Sequence, residues 1–155
     1  MKNILLIISH LAFAAIGFVA GIYVLPILTA PEAPEKSAVE AQIKKAIFTT
    51  EFKRDLQGSD FLHWGEGQVF ISDSSVSLMG EIAPGPDYKL YLSPSFVDTK
   101  EGFEKVKNSS LNIGSVKTFD NFIVPIPGSV EVTKYNTIVI WCESFSAFIT
   151  SAKYQ

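Results

Sequence analysis

At 155 residues the chain has the length of one domain, and its net charge of −3 and single cysteine narrow the choices further. Of the 13 basic residues only Lys2 precedes Pro31, leaving 12 basic against 16 acidic residues beyond it, with no basic cluster larger than Lys44-Lys45 or Lys53-Arg54. Nucleic acid is excluded as a partner on that balance. With Cys142 alone, an internal disulfide is excluded too, and stability has to come from the core.

From Ile4 to Leu28 the chain runs without a formal charge, interrupted only by Ser9, His10, Tyr23 and Pro26. As a helix this stretch extends about 37 Å, long enough to cross a bilayer with some tilt. Gly17 and Gly21 stand four apart, a spacing that lets two such helices pack closely. Cleavage by a signal peptidase requires small residues at −3 and −1. Leu28-Thr29-Ala30 fails at the first of these and precedes Pro31, Pro31-Glu32-Ala33 precedes Pro34, and Ala12-Phe13-Ala14 lies inside the apolar run. Residues 1–30 are therefore expected to be an uncleaved anchor that meets the membrane through residues 4–28, with no cysteine near its end for lipid attachment. Lys2 before the helix, against Glu32 and Glu35 with Lys36 after it, predicts a cytoplasmic N-terminus and a periplasmic or extracellular C-terminal domain. His10 is expected as a neutral side chain tolerated within the span.

Pro31-Glu-Ala-Pro34 predicts a stiff spacer. Ser37 followed by Glu40 fits a capping box, and Val39, Ile43, Ala46 and Ile47 recur at helical spacing. Residues 31–55 are thus expected as a linker and a short amphipathic helix ending near Thr49-Thr50. After Gly58 the pattern turns to alternation and short apolar runs bounded by Gly, Pro, Asn and Asp, which places a β domain at residues 56–155. A hairpin is predicted from Gln68 to Ser72 and from Val76 to Ile82, with Asp73, Ser74 and Ser75 at its turn. Ala83-Pro84-Gly85-Pro86-Asp87 reads as a rigid turn before a strand from Tyr88 to Leu92, and residues 95–113 as a connection tacked down by Phe96, Phe103, Val106 and Leu111. Later strands are predicted at Val116–Phe119, Phe122–Pro125, Val130–Val132, Thr137–Cys142 and Ala147–Ala152. The nearly continuous apolar run Thr137–Cys142 marks a strand buried on both faces. The fold class is mainly β, a β-sandwich-like or barrel-like single domain preceded by a transmembrane helix and a short helix.

Few residues have chemical reach: His63, Cys142, Met79 and the carboxylates Asp60, Glu66, Asp87 and Glu143. There is no C-x-x-C, H-x-x-x-H, P-loop or G-x-S-x-G, and Gly65-Glu66-Gly67 lacks the later glycine of a dinucleotide fingerprint. His63 sits in His63-Trp64-Gly65-Glu66-Gly67, expected as a tight loop before the first strand. Its imidazole is either a ligand or base beside the thiol, or a hydrogen-bonding brace for the loop. Cys142 shares strand parity with Ile138 and Ile140, so its side chain is either a small apolar core group or a redox thiol in need of access and a neighbour that lowers its pKa.

These residues carry a resemblance. His63-Trp-Gly-Glu-Gly67, Ala83-Pro-Gly-Pro-Asp-Tyr-Lys-Leu-Tyr-Leu92, Gly114-Ser-Val-Lys117, and Tyr135 through Val139-Ile-Trp-Cys142 with Phe145, Phe148 and Ala152 make the stretch from Leu56 to Tyr154 similar to the DM-thirteen domain family. The resemblance implies a β-sandwich-like electron-transfer domain in which Cys142 acts as a bare thiol or through a bound group such as haem. It also makes His63, Trp64, Asp87 and Cys142 the residues lining a cofactor or redox site. The chain shows no DOMON-type module, so a redox or protein partner would have to come from elsewhere. Two classes of function follow: a redox or haem-linked domain centred on Cys142, and a non-enzymatic ligand-binding or scaffolding domain at the membrane surface. A metabolic enzyme ranks below both, since too few polar catalytic groups accompany the one histidine outside the apolar segment.

Overall fold

The computed structural model describes residues 2–128 and 130–155. The apolar segment forms one helix, α1 (Lys2–Thr29), with mean hydropathy 2.4 in its most apolar window and none of that window buried. It is long and apolar enough to cross a membrane. Ser9, His10 and Thr29 find partners for their polar side chains within the helix, as an apolar solvent favours. Ser9 and Thr29 donate to the carbonyls of Leu6 and Leu25 at 2.8 Å, and His10 Nδ1 lies 2.7 Å from the Leu6 carbonyl.

The second helix, α2 (Lys36–Ile43), is shorter than its apolar spacing predicts. Glu35, not Ser37, occupies the N-cap, and the Ser37 hydroxyl donates to the Glu35 carboxylate at 3.2 Å, so the capping box does not form. Val39 is the one residue of α2 that is buried. The chain then turns, the Ile47 amide donates to the Ile71 carbonyl at 2.7 Å, and Phe48–Phe52 becomes strand β1. This strand, in the stretch expected to be linker and helix, forms because Phe48, Thr49, Thr50 and Phe52 are β-formers and an open sheet edge is within reach.

Seven more strands follow: β2 (Gly65–Ile71), β3 (Ser75–Ile82), β4 (Tyr88–Ser93), β5 (Leu111–Val116), β6 (Asp120–Pro125), β7 (Thr137–Cys142) and β8 (Ala147–Lys153). They make two antiparallel four-stranded sheets, ordered β1-β2-β3-β6 and β5-β4-β7-β8. The fold is a sandwich rather than a closed barrel. Its core is filled by the inward-facing residues of both sheets, among them Val69, Ile71, Val76, Leu78 and Phe122 against Leu90, Leu92, Ile138 and Ile140. The β2–β3 hairpin turns where predicted, with the Ser72 hydroxyl accepting from the amides of Ser74 at 3.2 Å and Ser75 at 3.0 Å.

Three local expectations are corrected. The supposed connection at 95–113 contains helix α3 (Lys100–Val106), capped by Thr99, whose hydroxyl accepts from the Gly102 amide at 3.1 Å. The strand expected at Val116–Phe119 ends at Val116 and begins at Leu111. Its buried residues Ile113 and Val116 are three apart because the register with β4 shifts between Leu90 and Tyr91, which erases the period-two pattern. Val130–Val132 forms no strand. Val132 instead opens a 3-10 turn at Val132–Lys134 and is buried from there.

The loop expected around Gly65-Glu66-Gly67 is itself the start of β2. Gly67 faces Gly80 across the hairpin, both at positive φ (126° and 159°), and a Cβ on either would collide with the opposite backbone. The close approach sits beside the irregularity between Leu78 and Glu81, where the Asn121 side chain accepts from the Gly80 amide at 3.1 Å.

A second apolar cluster lies on the outer face of the β5-β4-β7-β8 sheet, where Tyr91, Val139, Trp141 and Phe148 meet Phe103 of α3 and Val97. It buries the outer face of β7, so all six residues of that strand are buried, as its composition predicts. The β1–β2, β3–β4, β5–β6 and β7–β8 connections all lie at one end of the sandwich. Two substitutions test this packing by denaturation of the full chain in detergent. Ile140→Ala is expected to destabilise by about 2–5 kcal/mol, and Gly80→Val by about 1–3 kcal/mol through backbone strain.

Candidate functional site

The loop before β2 is ordered by one carboxylate. Asp60 Oδ1 accepts from the amides of Leu62 at 2.7 Å and His63 at 2.8 Å, and His63 Nδ1 lies 2.9 Å from Oδ2. Partial burial pushes the Asp60 carboxyl up, but the His63 hydrogen bond and the two amides outweigh it and hold it below the ordinary value. With its Nδ1 against a carboxylate, the neutral imidazole carries its proton there and leaves Nε2 as the acceptor. Trp64 is fixed differently: the Arg54 guanidinium stands 3.4 Å from the ring centroid, and Arg54 Nε pairs with Glu66 at 2.5 Å. The Trp64 carbonyl accepts from the Ala83 amide at 2.9 Å and ties this loop to the next.

In that next loop Pro84 and Pro86 limit the backbone and Gly85 makes room for Tyr88, whose ring would collide with a Cβ at position 85. Asp87, at φ 51°, turns the chain into β4. Its carbonyl accepts from the Glu143 amide at 3.2 Å, and its carboxylate pairs with Lys89 at 2.8 Å. Cys142, the last residue of β7, thereby comes beside this loop. The thiol donates to the Pro86 carbonyl at 3.0 Å, and the residue is only 2 % exposed. Burial pushes the thiol up, the nearby amides of Phe145 and Ser144 pull it down, and Asp87 and Glu143 add to the rise, so the net shift is upward. The neutral thiol is the favoured form.

Cys142 and His63 line one cavity of about 200 Å³, together with Leu62, Pro86, Tyr88 and Phe145; Val19, Ile22 and Tyr23 of α1 form its remaining side. Trp64 and Asp87 do not line it. Asp87 faces a groove of about 690 Å³ between α1 and the β4–β5 edge, and Trp64 one of about 390 Å³ beside Ile27 and Pro31. Haem does not fit this arrangement. The cavity is smaller than the roughly 300–1,000 Å³ that small-molecule sites occupy, and burial shifts the thiol away from the thiolate that ligates iron. Among the described residues no group of three His, Cys, Asp or Glu side chains is placed to hold a metal ion.

Sequence reasoning did not assign Arg54 its place over Trp64, since the pair Lys53-Arg54 carries no signal beyond its charge. Asp60 had a usable one, an Asx turn two and three residues before Leu62 and His63. The thiol's other neighbour, Glu143, belongs to a separate braced group: Tyr91 donates to its carboxylate, and Lys107 pairs with it at 2.6 Å while lying 5.2 Å from the Trp141 ring centroid. Burial raises the Glu143 carboxyl, but Lys107 and Tyr91 outweigh it and the net shift is downward. Tyr91 is pushed up to about 12, first by burial and then by Glu143. A carboxyl depressed in the folded state stabilises above its unfolded titration range, and that contribution disappears as pH falls through the folded value. Glu143→Gln is therefore expected to lower the unfolding free energy by about 1 kcal/mol near neutral pH. In denaturant titrations at several pH values the difference should shrink below about pH 4.

No curated protein and no solved structure matches the chain. A family model, described as electron transfer DM13, matches residues 51–154, the span that holds the sandwich from the end of β1 onward together with all four loops of the site end. The chain belongs to the electron transfer DM13 family.

Proposed function

We propose that the protein is a membrane-anchored, extracytoplasmic electron-transfer domain in which Cys142 is the redox group and the Asp60–His63 pair handles its proton. The single observation that carries this reading is the cavity shared by Cys142 and His63. The family's electron-transfer role supplies the class of function, α1 supplies the anchor, and Lys2 ahead of α1 supports a cytoplasmic N-terminus.

With one cysteine per chain, the chemistry that balances is thiol–disulfide exchange with a partner. Cys142 loses its proton to His63, and Sγ attacks one sulfur of a partner disulfide. The partner's S–S bond breaks, its departing sulfur takes up the proton, and a mixed disulfide joins Cys142 to the partner. One thiol of a dithiol donor then attacks Cys142 Sγ and frees the second partner sulfur as a thiol. The donor's other thiol attacks the new mixed disulfide, which releases Cys142 and closes the donor's own disulfide, so that two electrons pass from a dithiol donor to a disulfide acceptor. The upward-shifted thiol makes the initial deprotonation the demanding step and gives His63 its function.

The burial of Cys142 among Ile138, Ile140 and Ile149 supports a second reading, a non-enzymatic ligand-binding domain in which the cysteine is a core residue. The two readings separate in one experiment. The full chain in detergent is exposed to glutathione disulfide, and its mass is followed beside Cys142→Ser and His63→Gln. On the redox reading the native wild type gains one glutathione, Cys142→Ser gains none, and His63→Gln reacts at least several-fold more slowly, with its rate rising only at higher pH. Modification of the wild type only after unfolding removes the redox role from Cys142 and leaves the binding domain.

A further inference from the structure

We infer that the loop end of the sandwich, the end that carries the Cys142 cavity, docks on the bilayer, with Phe61, Leu62 and Phe145 inserted at headgroup level. The inference rests on the anchored reading of α1 and adds to it an orientation of the domain.

Helix length sets the levels. At 28 residues α1 is about 42 Å long, while a hydrocarbon core of about 30 Å takes about 20 residues. Counted from Ile4 those residues end at Tyr23, an aromatic side chain of the kind that marks the membrane–water boundary, and the last turns of α1 emerge beyond it. The loops of the sandwich meet α1 across this same stretch. Val19, Ile22 and Tyr23, in the last turn and a half of that span, close the Cys142 cavity, α1 residues from Gly21 to Thr29 face the groove that holds Asp87, and Ile27 and Pro31 line the groove at Trp64. The loop end therefore stands at the height where the helix leaves the bilayer.

The linker holds it there. The chain leaves α1 at Thr29 and re-enters a helix at Lys36, the Asn121 side chain donates to the Pro34 carbonyl at 3.5 Å, and fully buried Val39 fastens the next turn to the sandwich. So short and fastened a connection leaves the domain little freedom to turn its opposite end to the membrane. The side chains match this orientation. Among the described residues outside α1, the two most exposed large apolar ones are Phe61, at 85 %, and Phe145, at 54 %, and both project from loops of this end. Lys117 lines the groove beside α1, where on this orientation it meets lipid phosphates, while Lys89 is paired there with Asp87. Docking in this way places the mouth of the cavity at headgroup level.

The test uses the full chain in phosphatidylcholine–phosphatidylglycerol vesicles with brominated acyl chains. In a Cys142→Ser background a fluorophore is attached at single introduced cysteines: Phe61→Cys and Phe145→Cys at the loop end, Asp73→Cys at the opposite end, and Ile16→Cys within α1. Quenching at positions 61 and 145 several-fold above that at 73 is the expected result. A second readout avoids labels: in Trp141→Phe the remaining Trp64 should be quenched by the same lipids. Positions 61 and 145 quenched no more than 73, with position 16 strongly quenched, would overturn the docking and leave the anchor standing. Absence of quenching at position 16 would remove the anchor and the docking with it.

Discussion

The structure depends on β7 being buried on both faces. Ile138, Ile140 and Cys142 point into the sandwich and Val139 and Trp141 into the cluster beneath α3, so this strand belongs to both hydrophobic clusters at once. A strand so placed can be neither an edge nor a half-solvated face, and it sets the middle of its sheet, with β4 on one side and β8 on the other. The last inward residue of that strand is Cys142. The thiol therefore lies where the core ends and the loops begin, with its upward shift caused by the burial that makes the strand central.

What surrounds the thiol is held by backbone constraints more than by charge. Proline at 84 and 86, the space left at Gly85 for the Tyr88 ring and the left-handed turn at Asp87 fix one loop. The Asx turn of Asp60 fixes the other. The carbonyl of Trp64 and the amide of Ala83 tie the two together, so that His63 and Cys142, 79 positions apart in the chain, line one cavity. Such a framework is preorganised, and a redox thiol or a bound ligand would find it already formed. The cavity's small volume favours chemistry at sulfur over ligation of a large prosthetic group.

Helix α1 and the Cys142 cavity are also linked in space. Because α1 meets the loop end of the sandwich, any partner that reaches Cys142 does so close to the membrane surface on the anchored reading. A freely tethered domain would present its site in any direction. Here the pinned linker narrows that choice, and the exposed phenylalanines of the loop end agree with it.

Much of this was legible in the residues. The uncharged run from Ile4 to Leu28 determines a long apolar helix whatever surrounds it, since composition and length are local properties. The alternation in β2, β3 and β4, the apolar run of β7 and the serines at the hairpin turn determined a β domain with these strands near their observed positions, because burial on one face or two writes itself directly into side-chain period. Tertiary structure decided the rest. The segment Phe48–Phe52 became a strand because an open sheet edge was available to it, Leu111–Val116 lost its alternation to a register shift with β4, and Val132 is buried from a 3-10 turn, where spacing carries no message. The ordered motifs named Cys142, His63, Trp64 and Asp87 together, but only the fold separated them, placing the first two on one cavity and the others on its neighbours. Local patterns register which face of an element is buried; which loops meet at one end of a sandwich depends on pairings between residues far apart in the chain.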